Sequence, residues 1–161
     1  MSEGEGGGYW PRKLEQRGME LPPVAPPLAN YAPAVRTGAY VYTSGQLPMV
    51  DGALAATGKV GAAVSPEVAA GLARTCALNA LAAVDGLVGI DSVVRIVKVV
   101  GFVASAPGFN AQPAVINGAS DLLGEVFGDA GVHARSAVGV SELPLDAPVE
   151  VELIVEVEVE G

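Results

Sequence analysis

The sequence predicts an α+β domain, an open sheet carrying two helices on one face, and three observations lead there. From Val149 the odd positions Val149, Val151, Leu153, Val155, Val157 and Val159 are apolar, and Glu150, Glu152, Ile154, Glu156, Glu158 and Glu160 alternate with them. That period of two belongs to a strand with one apolar and one acidic face. Two stretches, 65–85 and 112–127, have helical spacing, and each holds a Pro near its first turn, Pro66 and Pro113, where a missing N–H does no harm. The resulting order, strand, strand, helix, strand, helix, strand, strand, suits one sheet with both helices on the same side. The other side is left to be covered, and oligomerisation is the simplest cover.

Taken in order, residues 1–8 (MSEGEGGG) bury too little to offset the entropy of ordering and read as a flexible tail. PRKLEQRG at 11–18 reads as a short helix opened by Pro and closed by Gly. The four prolines of LPPVAPPLANY favour an extended arm along the domain surface. Residues 1–27 are thus tail and arm, and 28–161 the domain. AYVYTSGQLP at 39–48 reads as a strand or hairpin, with Asp51-Gly52 offering a tight turn. Small polar groups, Thr43, Ser44, Gly45 and Gln46, interrupt it. Ser65 is a good N-cap for a helix running to about Asp85, with Leu72, Cys76, Asn79 and Ala83 on one face. Asn79 in that company is expected to be a paired core amide. The nearly continuous β-branched run from Asp91 to Ala104 suggests a mid-sheet strand buried on both faces. In the second helix Ile116, Ala119, Leu123 and Phe127 form the core stripe, and Asn117 adjoins it. In the run from His133 to Val140, Arg135 shares a face with Ala137 and Gly139, so there is room beside a fixed cation.

Composition excludes several functions. With 18 acidic and 9 basic side chains the formal charge is −9, which repels a phosphate backbone and disfavours nucleic acid as a partner. No stretch of 18 apolar residues runs uninterrupted, and MSEGEGGGYWPRK has no apolar signal core, so no membrane association is expected. The single Cys76 points to a reducing, cytoplasmic setting. One histidine, His133, is too few for a His-rich metal site, and phosphate-loop, dinucleotide and nucleophile-elbow motifs are missing. A cofactor-free site remains. Ser44 as a nucleophile has no base marked for it in sequence. The glutamate row has two readings, a solvated face that guards against edge pairing or the source of a reactive carboxylate. Arg135 likewise reads as a structural ion pair or as a ligand clamp.

YTSGQLP at 42–48, Tyr31, the Asn79 helix, VVRIVKVVGFV, Asn117 and above all ARSAVGVSELPLDAPVEVE at 134–152 together resemble the YjgF/RidA family of reactive-intermediate imine deaminases, over about residues 28–158. The resemblance implies a chorismate-mutase-like mixed sheet with two helices on one face. It also implies a homotrimer with a cleft at each subunit boundary. By that likeness Arg135 holds a substrate carboxylate and Glu150 handles the attacking water, with Tyr31, Ser44, Gly45 and Asn117 lining the cleft. Some members carry endoribonuclease labels.

The chemistry suits these residue types. A guanidinium can grip the carboxylate of a 2-imino acid with two parallel hydrogen bonds, and a glutamate can serve as base and then acid on an already electrophilic C=N carbon. Neither metal nor organic cofactor is needed. Ala137 stands where many deaminases have a cysteine, the second helix is about a turn longer, and the arm is an addition, so the likeness is to a divergent subgroup. Two function classes follow, an enamine/imine deaminase acting on 2-imino acids, or a non-catalytic trimer that binds a 2-oxo acid or similar small carboxylate. A ribonuclease ranks third.

Overall fold

Around a five-stranded sheet the chain wraps two long helices, as the computed structural model describes for residues 8–27 and 29–159. The tail expected at 1–8 lies outside the described residues apart from Gly8. In chain order the elements are α1 (Tyr9–Gln16), β1 (Ala34–Thr37), β2 (Tyr40–Thr43), β3 (Met49–Val50), β4 (Ala53–Leu54), α2 (Pro66–Val88), β5 (Val93–Ala104), α3 (Gln112–Phe127), β6 (Ala134–Val140) and β7 (Val149–Val157). The main sheet runs β1-β2-β7-β5-β6, with β5 and β6 parallel and the other neighbours antiparallel. The fold is the expected α+β arrangement, a mixed sheet with helices packed on it.

Strand β7 fills the centre because its odd residues are at most 2% exposed and face the helices. α2 is opened by the Ser65 side chain, which accepts a hydrogen bond from the Val68 amide at 3.2 Å, a cap that satisfies a free helix donor. Its small Ala-rich surface lets it lie close to β7, and Leu72, Cys76, Asn79 and Ala83 are all buried, as their spacing requires. α3 contributes Ile116, Ala119, Leu122 and Leu123 to the same core. By composition α2 is long and apolar enough to cross a membrane, yet most of it is buried inside this core.

Two expectations change. The hairpin is formed by β1 and β2 and turns at Gly38, whose φ of +57° favours a residue without a side chain. Val35, Arg36 and Thr37 are all exposed, so β1 lacked the alternation that reveals a strand. The Asp51-Gly52 turn closes only the short β3–β4 ladder. Second, β5 is buried on one face only, since Val94 is exposed and Val100 and Phe102 are half-buried. Both helices lie on the other side. β5 runs between β6 and β7, so these two strands are not partners.

The uncovered face carries the even residues of β7 and their neighbours. Tyr42 pairs with Ile154, Val100 with Glu152 and Ser136, and Phe102 with Glu150 and Val138. An apolar band of Val35, Tyr42, Ile154, Val100, Phe102 and Val138 therefore crosses all five strands.

Candidate functional site

A β-bulge builds the first half of the site. Tyr42 pairs with Ile154 and Gln46 bridges to Val151, so three residues, Thr43, Ser44 and Gly45, stand opposite two, Glu152 and Leu153. The extra residue bends the strand away from the ladder. Thr43 repairs the gap, its Oγ1 accepting from the Leu153 amide at 2.9 Å. Gln46 resumes pairing, its amide donating to Val151 O at 2.8 Å and its carbonyl accepting from the Val151 amide at 3.1 Å. The bulge presses Gly45 against Glu150, so that a Cβ at position 45 would overlap Glu150 Oε1. Only glycine leaves the carboxylate its place.

Gly45, Glu150 and Tyr31 line one cleft of about 560 Å³, with Leu47, Met49 and Leu145 among its apolar walls. Its floor is tied to α2 by Asn79, whose Nδ2 donates to Leu47 O at 3.1 Å and Met49 O at 3.0 Å. Asn79 is thus the paired amide expected. Ser44 adjoins the cleft but its hydroxyl donates to Ala32 O at 2.6 Å. It anchors the segment that follows Tyr31 and has no base at hand. Among the described residues the charged side chains of this cleft are Glu20, Asp51 and Glu150, with no Lys, Arg or His. Burial, and then the charge of Glu152, push the Glu150 carboxyl up from its ordinary range. Burial, and then Glu150, push the Cys76 thiol well up, so it stays protonated and inert.

Arg135 and Asn117 form a separate group. Arg135 pairs in register with buried Val99 and so projects to the helix side of the sheet. Its Nη1 donates to Asn117 Oδ1 at 2.8 Å and to Ser120 Oγ at 3.2 Å. Among the described residues no carboxylate pairs with Arg135, which the ion-pair reading would require. Its Nη2 and Nε face no other group in the described hydrogen bonds, a free fork of the kind that takes a carboxylate.

Ser120 and His133 carry no mark in the sequence motif, yet they hold this arginine. His133 Nδ1 lies 2.6 Å from Gly131 O, which can only accept, so Nδ1 bears the proton. Nε2 lies 2.9 Å from the Ser120 hydroxyl and in the neutral ring accepts from it, leaving Ser120 Oγ free to accept from Arg135. Asn117 and Ser120 stand three apart on α3, a spacing that puts them on one face and was open to reading. His133 approaches through the turn at 128–131 and gave no such signal.

The two groups do not meet within one chain. Glu150 aligns with Phe102 and Arg135 with Val99, on either side of β5. Two strand spacings and three residue steps put their Cα atoms roughly 14 Å apart, and alternation points the side chains to opposite faces. Each half lacks what the other has, a carboxylate in a cleft without cations and a cation without a carboxylate. Among the described residues no group of three or more His, Cys, Asp or Glu could hold a metal ion.

Residues 12–157 match the sequence family described as "YjgF/chorismate-mutase-like, putative endoribonuclease". The match begins inside α1. Over 145 residues the chain is 43% identical to Protein TCP17 of Trypanosoma cruzi, covering 89% of this chain and 91% of that protein. Among solved structures, the protein Atu1372 of Agrobacterium tumefaciens, of unknown function, is 43% identical, with a TM-score of 0.86 over 93% of each chain. A protein of Shewanella oneidensis bearing the same endoribonuclease label is 32% identical, with a TM-score of 0.89 over 93% of this chain and all of its own.

Proposed function

Because this chain belongs to the YjgF/chorismate-mutase-like family, we propose that it hydrolyses reactive 2-imino acids to 2-oxo acids and ammonia in clefts shared between copies of itself. The observation that carries this reading is Glu150, a half-buried carboxyl of raised proton affinity held against Gly45 in a cleft without a cation. A base serves best when its proton affinity approaches the working pH. A carboxylate substrate cannot settle in that cleft on one chain, where Glu20 and Asp51 add to the negative charge. It needs the free fork of Arg135 from a neighbouring copy.

In the proposed reaction the fork holds the carboxylate and sets the C=N carbon before Glu150. Glu150 takes a proton from water as its oxygen adds to that carbon and passes that proton to the imine nitrogen, giving the tetrahedral aminol. Glu150 then takes the aminol hydroxyl proton and delivers it to the nitrogen as the C–N bond breaks, so the 2-oxo acid forms, ammonia leaves and the Glu150 carboxylate is regenerated. One water enters and one ammonia departs, with the carboxylate unchanged. Freshly generated 2-iminobutyrate tests the reading. Hydrolysis well above the spontaneous rate is expected, and no acceleration would leave a carboxylate-binding assembly in its place. The endoribonuclease label finds little support in an acidic cleft on a chain of charge −9.

Sharing of the cleft requires assembly. The apolar band on the open face, with Val35, Tyr42 and Val138 exposed, is the kind of surface that subunit contacts cover, and it suits closure of three copies about an axis. Light scattering is expected to return about three times the 16.2 kDa chain mass; a stable monomer at micromolar concentration would end the shared-cleft idea. Gly45→Ala gives a further check, since the added methyl displaces the Glu150 carboxylate. A loss of between about ten- and 100-fold in kcat is expected, the usual effect of a misplacement near 1 Å. Unchanged kcat would mean that the carboxylate position is unimportant.

A further inference from the structure

The hydrolysis makes no use of the N-terminal arm, although the fold goes to some length to place it. Trp10 anchors α1, its Nε1 donating to Val93 O at 2.7 Å and its ring standing edge-on to Phe127 with centroids 4.8 Å apart. Leu14 is only 4% exposed and belongs to the core. Beyond α1 the arm follows α2, where the lack of a side chain at Gly86 admits Val24, whose Cγ2 lies 2.9 Å from where a Cβ would sit. Pro23, Val24 and Pro26 then line the same cleft as Gly45 and Glu150.

Two properties of that wall bear on the ligand. Proline holds φ fixed, so the wall has fewer conformations to give up and less ordering entropy is lost on binding. The space is also larger than the smallest imine requires. 2-Iminobutyrate has seven non-hydrogen atoms, at most roughly 200 Å³ if each takes a water's share of volume, against the cleft's 560 Å³. Arg135 of a neighbouring copy fills part of the difference, and the arm with Leu47, Met49 and Leu145 bounds the remainder with apolar groups. Glu20 and Asp51 repel a second negative charge there.

We propose that the arm is the specificity wall of this site, selecting 2-imino and 2-oxo acids whose side chain is apolar and longer than two carbons, of the size of leucine's. The proposal rests on the reading of the Glu150 cleft as a 2-imino acid site, and its test uses binding so that the two can fail separately. The full chain is titrated calorimetrically with 2-oxobutanoate, 4-methyl-2-oxopentanoate and 2-oxoglutarate. About tenfold or more tighter binding of 4-methyl-2-oxopentanoate than of 2-oxobutanoate is expected from its two extra carbons, with 2-oxoglutarate weakest. Val24→Asp should bring the first two within about twofold of each other. Val24 is 42% exposed, so this variant retains the fold, and Pro26→Asp repeats the measurement from a second position on the wall. Equal affinities in the unmodified chain, tightest binding of 2-oxoglutarate, or a tenfold preference that survives both substitutions would each overturn the wall. A preference lost on substitution, in a protein that turns over no imine, supports the wall while removing the hydrolase reading.

Discussion

Glu150→Gln is expected to slow hydrolysis of 2-iminobutyrate by about 100-fold or more, while affinity for unreactive 2-oxobutanoate changes little. The amide keeps the size of the carboxylate beside Gly45 but cannot take a proton from water. Glu152 is the control, because it stands two positions along the same strand face, about 7 Å away, and acts on Glu150 only by raising its proton affinity. Glu152→Gln is expected to be nearly silent, and equal losses in both variants would show that the base is wrongly assigned. The acid limb of kcat/KM in the unmodified protein should lie above the ordinary glutamate range, in keeping with burial, and vanish in Glu150→Gln. Stability should respond in the opposite sense. A carboxyl that binds its proton more tightly when folded favours the fold below its unfolded titration range, and that contribution is lost as pH rises through the raised value. At pH 7 Glu150→Gln should therefore melt above wild type, and at pH 3 the two should converge.

Arg135→Ala is expected to lose as much activity as Glu150→Gln, yet mixing the two inactive chains should restore about a quarter of the wild-type rate. In randomly assembled trimers each cleft draws Glu150 from one copy and Arg135 from the next, and one pairing in four has both intact. Dissociation and reassembly of the mixture before assay permits the exchange. Activity no higher than that of the separate variants would show that both residues act within one chain, against the roughly 14 Å and the sheet that separate them. Arg135→Lys isolates the role of the fork. Affinity for 2-oxo acids should fall roughly ten- to 100-fold, since an ammonium cannot replace a bidentate charge-assisted pair. Ser120→Ala should produce a smaller loss of the same kind, because Asn117 still holds Nη1.

Local sequence carried most of the architecture. Alternation from Val149 onward set β7 and its buried face, and Ser65 with Pro66 set the start of α2. The stripe Ile116, Ala119, Leu123 and Phe127 marked the side of α3 that meets the sheet. Such features are legible because they rest on neighbours within a few positions, where the period of side-chain direction is dictated by backbone geometry. β1 escaped because an exposed edge strand needs no apolar alternation. The burial of β5 was overestimated because a β-branched run records a total need for cover without saying which chain supplies it.

The site divides along the same line. Resemblance to the family motifs singled out Glu150, Arg135, Asn117, Gly45 and Tyr31, while strand spacing by itself gave only the small same-face neighbours of Arg135, a local property. That Gly45 must be glycine, that Thr43 closes a bulge, and that Ser120 and His133 brace Arg135 all depend on groups brought together from distant positions in the chain. Strand order decided the rest. β5 enters between β6 and β7 and separates the arginine from the glutamate, and the register that sets Arg135 opposite Val99 and Glu150 opposite Phe102 points them to opposite faces, which a spacing of 15 residues cannot reveal. Pairing partners are chosen by burial over the whole sheet, a sum that no short window of sequence contains.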